Sequence, residues 1–173
     1  LDAKPSVRPT AGQGGGTSIL YDITEKIGPT TDSDTTGGVL RVIRLPSNAV
    51  IKQVLLTQVA ATTTATFDVG IDYSDDPNDI AANQHYVAGT ALNDDIFAAA
   101  YDSHASPAAG WVDVTFLNSD YTPAETILPI WQAAGTSLTS DPGCMFDIVL
   151  TNRATISGAA TVMVRVLYTI AAQ

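Results

Sequence analysis

TVMVRVLYTI (161–170) alternates without a break. Val162, Val164, Val166, Tyr168 and Ile170 fall on one face, and Thr161, Met163, Arg165, Leu167 and Thr169 on the other. A period of two marks a strand with one face buried. A slip of one residue would drive Arg165 into the core, so the register is well specified. The same period recurs upstream. TATFDVGIDY (64–73) sets Phe67, Val69, Ile71 and Tyr73 against Thr66, Asp68, Gly70 and Asp72, the pattern of a half-buried strand. MFDIVLT (145–151) turns Phe146, Ile148 and Leu150 inward, and WVDVTFL (111–117) aligns Val112, Val114 and Phe116.

Further strands are read around these. SILYDITEKI (18–27) is a first strand, followed by a polar loop, 28–38. VLRVIRL (39–45) puts Val39, Arg41, Ile43 and Leu45 on one face and Leu40, Val42 and Arg44 on the other. Pro46-Ser47-Asn48 is a tight turn. AVIKQVLLTQV (49–59), apolar on both faces for much of its length, is expected to complete a hairpin with it. IFAAAY (96–101) fits a strand or a helical turn, and ILPIWQAAG (127–135), with Pro129, reads as an edge or bent strand. About eight strands, no long helix and no repeat predict an all-β protein. The expected architecture is a jelly-roll-like β-sandwich over residues 18–173. Residues 1–17 hold two Pro, four Gly and almost no large apolar residue, which predicts an extended N-terminal arm that orders only against a neighbour.

Composition agrees and narrows function. The chain has 173 residues, 45% hydrophobic and 15% charged, which argues against intrinsic disorder. Of eighteen acidic residues sixteen are Asp, a residue of caps and turns rather than helix interiors. A net charge of −10 with eight basic residues is a poor footprint for nucleic acid and disfavours an anionic membrane surface. No apolar run is long enough to cross a bilayer as a helix, and the first residues carry no charged-then-apolar signal pattern. The single cysteine, Cys144, excludes an internal disulfide and reads as a small buried hydrophobe.

Chemistry is thin. Asp102-Ser103-His104 has the residue types of a triad, but adjacent residues rarely meet in that geometry and no G-x-S-x-G elbow is present. The glutamates, Glu25 and Glu125, are far apart, and sixteen aspartates do not single out a glycosidase pair. No enzyme activity and no cofactor are expected. The densest oxygen cluster, Asp72, Asp75, Asp76 and Asp79 in a long acidic loop (74–95), is a weak calcium candidate, because it lacks the Gly and Glu of an EF-hand loop. Trp111 and Trp131 sit beside strand patterns and read as core or interface anchors rather than a sugar platform. Met163 and Leu167, apolar on an outward face, point to an oligomer contact.

Three pieces of the chain carry a family resemblance. Arg44–Ile51 follows an R-x-P-S-N-A-x-I pattern. Pro129–Thr151 is similar to PLWQALGLTSDPGGMYDVVLTLT, and Val162–Ile170 to a closing V-x-L-K-V-R-Y-V strand. With these the chain after residue 36 resembles a family of tailed-bacteriophage virion proteins, small head components of the decoration or cement type. It departs from the pattern in the Asp-rich stretch 74–95 and in Cys144, where Gly is common. The resemblance implies a structural protein on the capsid exterior, assembled in the host cytoplasm. Its partners would be the major capsid protein and its own copies, as a homotrimer. The arm, through Lys4 and Arg8, and the outward Met163 and Leu167 would make the contacts. The alternatives are a fibre-base or receptor module reading host glycan through loops 74–95 and 101–110, and a hydrolase of cell-wall sugar.

Overall fold

The computed structural model describes residues 19–30, 37–60, 66–74, 92–102, 110–135, 139–153 and 160–171. Among these residues eight strands form two antiparallel sheets. They are β1 (Tyr21–Thr30), β2 (Val39–Pro46), β3 (Ala49–Ala60), β4 (Thr66–Tyr73), β5 (Asn93–Asp102), β6 (Val112–Asp113), β7 (Met145–Asn152) and β8 (Ala160–Ile170). One sheet runs β1-β8-β3-β6 and the other β2-β7-β4-β5. The all-β sandwich expected from the alternation is the fold observed. The order is that of a long ribbon, β1–β4 against β5–β8, closed by the β4·β5 pair and wound so that β8 also meets β3 and β7 also meets β4.

Winding separates β2 from β3. The expected hairpin across Pro46-Ser47-Asn48 does not form: β2 pairs with β7, β3 with β8 and β6. The chain turns there, but it crosses from one sheet to the other. Three contacts hold the corner: Ser47 N–H donates to the Cys144 carbonyl, Trp131 N–H to the Ser47 carbonyl and Ala171 N–H to the Asn48 carbonyl. Turn residues without Gly lack the primed geometry of a two-residue hairpin and leave this option open. Cys144 is buried, as expected.

β8 matches its reading. Val162, Val164, Val166 and Tyr168 are buried between the sheets, while Met163, Arg165 and Leu167 lie half-exposed outside. Opposite them the second sheet contributes Phe67, Val69, Ile71, Phe146, Ile148 and Leu150. In β2 the expected faces hold only in part. A bulge at Val42 shifts the register between Arg41 and Ile43, so Leu40 faces Leu150 and Arg41 faces Val149. The extra residue moves Arg41 to the outer face while Ile43 and Leu45 stay inside.

Two segments differ from their readings. ILPIWQAAG is no strand: Glu125–Ile127 forms a 3-10 turn and Ile130–Ala133 one turn of α-helix, α1. Pro129 sits as N-cap with φ −65°, a value it favours, and Ile130 and Trp131 pack inward. Beyond β6 the chain turns, so Val114 is buried while Phe116 is exposed and off the expected face. The ambiguous IFAAAY lies within β5.

Tyr121 ties this irregular stretch to the core. Its ring meets Phe97 edge-on at 4.9 Å, and its hydroxyl donates to the Ile51 carbonyl at 2.9 Å. Burial pushes the phenol well above its ordinary pKa, so it stays a donor at any working pH. Tyr121→Phe keeps the ring and strands the Ile51 carbonyl. A loss of about 1 kcal/mol is expected in urea melts, with an unchanged m-value.

Candidate contact surfaces

The two sheets differ on their outer faces. In β4 the residues expected to face solvent are buried: Asp68 is 0% exposed and Asp72 3%. Asp147 and Val149 of β7 are buried on the same face. The chain itself covers this face beside Gly70, where a Cβ would stand 2.2 Å from the Asn93 carbonyl oxygen and 2.3 Å from the Asp94 carbonyl carbon. Only a residue without a side chain admits that approach.

Buried carboxylates need partners, and the sequence supplies them from far away. Arg41 Nη1 lies 2.7 Å from Asp72 Oδ2 and donates to the Tyr73 carbonyl. Arg44 Nε donates to Asp147 at 3.0 Å. Arg153 pairs with Asp68. Asp72 and Asp147 face each other across β4 and β7, and Arg41 reaches both, at 2.7 and 4.0 Å. Backbone donors complete the set: Tyr73 and Leu92 N–H to Asp72, Ala100 N–H to Asp68. Ala100 has a positive φ of 50° at a bulge in β5, a conformation that the Asp68 bond helps to hold. Burial raises the Asp72 pKa, and Arg41 opposes that shift.

This face is a scaffold of matched charges. A cleft of about 340 Å³ opens beside Arg41, Val42, Arg44 and Asp147, but its two guanidiniums already serve Asp72 and Asp147. Of the calcium candidates, Asp72 is bound into this scaffold; Asp75, Asp76 and Asp79 lie outside the described residues. Among the described residues no three His, Cys, Asp or Glu side chains gather as metal ligands. His85, Ser103 and His104 also lie outside them, as do the arm and its Lys4 and Arg8. The described helices include none long and apolar enough to cross a membrane.

The outer face of the β1-β8-β3-β6 sheet is open. Leu167 stands between Asp22 of β1 and Gln53 of β3, and Met163 between Lys26 and Thr57. In the row between them Arg165 lies beside Leu55. All are half-buried or exposed. Arg165 Nε donates to Asp22 at 2.8 Å. This bond holds the Asp22 carboxyl below its usual pKa. At the edges stand further exposed apolar side chains: Ile19, Leu20 and Tyr21 leading into β1, and Trp111, Phe116 and Leu117 around β6. Trp111 therefore is partly exposed, whereas Trp131 is buried. Reading the sequence singled out Met163 and Leu167 but missed Leu55 and the flanking group. Leu55 was legible as an apolar residue one step out of phase with Val54 and Leu56.

No protein-family model matches the chain, and no curated protein matches it by sequence. Solved structures do. A chain in the capsid of Ralstonia phage GP4 superposes with a TM-score of 0.55 over 96% of this chain and 90% of that one, at 16% identity. The fold is shared. Two further similar chains each have a TM-score of 0.42. One, from the capsid of Helicobacter pylori bacteriophage KHP30, is 15% identical over 88% of this chain and 89% of that one. The other, from the cyanophage Pam1 capsid, is 17% identical over 99% and 100%.

Proposed function

We propose that this chain is a non-enzymatic phage virion structural protein that decorates and cements the capsid exterior by bridging major capsid subunits. The observation that carries the proposal is the contrast between the two outer faces. One is sealed by the chain's own ion pairs, and the other presents Leu55, Met163 and Leu167 around the Arg165–Asp22 pair. A cement protein works by contact area, and an open, mixed face of this kind matches the make-up of non-obligate interfaces. The fold shared with a capsid chain supports the same direction. The strand order supports a jelly roll over residues 18–173. The open face would seat copies of the chain as a trimer on the shell. The arm, residues 1–17, would reach a neighbouring subunit, with Lys4 and Arg8 on an acidic or polar surface.

The test uses shells of the phage that carries this chain, stripped of it. Wild-type chain should saturate them and raise the temperature at which they open. Leu167→Glu with Met163→Glu, and separately deletion of 1–17, should each weaken occupancy at least tenfold. The sandwich's own melting midpoint should stay within a few degrees, because neither change touches the core. Variants that decorate and stabilise shells as wild type does would overturn the assignment of these contacts. A wild-type chain that does not bind would overturn the function.

A further inference from the structure

At one end of the sandwich the core ends in two amides. Gln58 of β3 is 4% exposed and Asn152 of β7 1%. Among the described residues, neither the side-chain oxygen nor the nitrogen of either residue has a hydrogen-bond partner. Both point inward. Gln58 lies beside Val162, in phase with the buried Val54 and Leu56. Asn152 lies beside Phe67, in phase with the buried Ile148 and Leu150. β3 and β7 both run away from the Ser47 corner, since Ala49 follows that turn and Met145 pairs with Pro46. The two amides therefore occupy the same end, one on each sheet.

Their described cross-strand neighbours cannot serve them. Val162, Phe67 and Ile27, which sits beyond Val162 on β1, offer only carbon at the core face. On its other side Asn152 has glycine: its backbone N–H donates to the Gly38 carbonyl, and its carbonyl accepts from Gly37 N–H. Neither glycine brings a side chain to that place. Two amides meeting directly would satisfy one N–H on each and leave the second N–H of each unmet. Water, with two donors and two acceptors, can serve all four atoms. A polar site with two to four partners is where buried water resides.

We propose that Gln58 and Asn152 form an internal hydration site, in which one or more ordered waters join the two sheets. The site is independent of any capsid role. The ligand is water itself, so the probe is the solvent. Water relaxation dispersion on the full chain should detect long-lived internal water. The double variant Gln58→Leu with Asn152→Leu should remove at least one such molecule. In the wild type, water-to-amide Overhauser peaks should appear at both side-chain NH₂ groups. That second measurement decides the matter if the double variant does not fold. A double variant with the wild-type dispersion amplitude, or side-chain amides contacting each other with no water peak, would overturn the proposal.

Discussion

Val164→Asp is expected to abolish the folded state or lower its melting midpoint by about 10–20 °C. Val164 lies in β8 between Glu25 of β1 and Leu56 of β3 and is 0% exposed. A carboxylate there loses its hydration and finds Leu56, Val162 and Val166 near it on the core face, with the like-charged Glu25 as its cross-strand neighbour. The cost of an unpaired buried charge is several kcal/mol, against a total stability of about 5–15 kcal/mol for a domain. At this chain length each kcal/mol moves the midpoint by roughly 2–4 °C. Met163→Asp, one residue away, makes the control. Met163 stands on the open face beside Lys26, so the same change should cost about 1 kcal/mol or less. Equal melts for the two variants would mean that the strand's two faces are not differently buried, and a larger loss for Met163→Asp that they are reversed.

That contrast was legible because β8 lies in the middle of a sheet with one covered and one open face. Its alternation reports burial directly. β4 and β7 carry the same alternation, but both their faces are buried, and the sequence does not show it. Burial of the aspartates on their second face depends on Arg41, Arg44 and Arg153. Those pairs span 31, 103 and 85 positions, and local pattern is blind to such spacing. The Val42 bulge hides Arg41 further, because strict alternation places it with Ile43. The β2–β3 corner failed for a related reason. Pro46-Ser47-Asn48 announces a reversal, but the partner of each strand is set by winding of the whole ribbon. In 127–135 a short apolar run could not choose between strand and helix, and Pro129 starts a helical turn instead of bending a strand. The candidate site was legible as outward apolar residues on β8. That the face is open, while its counterpart is sealed, required the tertiary structure.

Arg41→Leu should be the most damaging change on the sealed face. It leaves Asp72, 3% exposed, without its ion-pair partner, and removes a donor from the Tyr73 carbonyl. Breaking a buried pair from one side costs about 3–5 kcal/mol, and Arg41 is partly exposed, so about 3 kcal/mol is expected. Arg44→Leu should cost about 1 kcal/mol, since Arg44 is more exposed and Asp147 keeps Arg41 nearby. The loss at Arg41 should depend on pH with a definite sign. Burial already raises the Asp72 pKa in the folded protein, and Arg41 lowers it again. Without Arg41 the folded-state value climbs further above that of the unfolded chain. A raised carboxyl favours the folded state only while it is protonated, so the relative stability is present below the unfolded value and lost as pH rises through the folded one. The gap between wild type and Arg41→Leu should therefore be widest at neutral pH and narrow as the pH falls toward 4. Adding Asp72→Asn to Arg41→Leu removes the stranded charge and should restore most of the loss at pH 7. Urea melts of the four chains at pH 4 and pH 7 measure this. A gap that is the same at both pH values, or an Asp72→Asn change that rescues nothing, would show that Arg41 stabilises by packing and its bond to Tyr73 alone, with the Asp72 charge carrying no part.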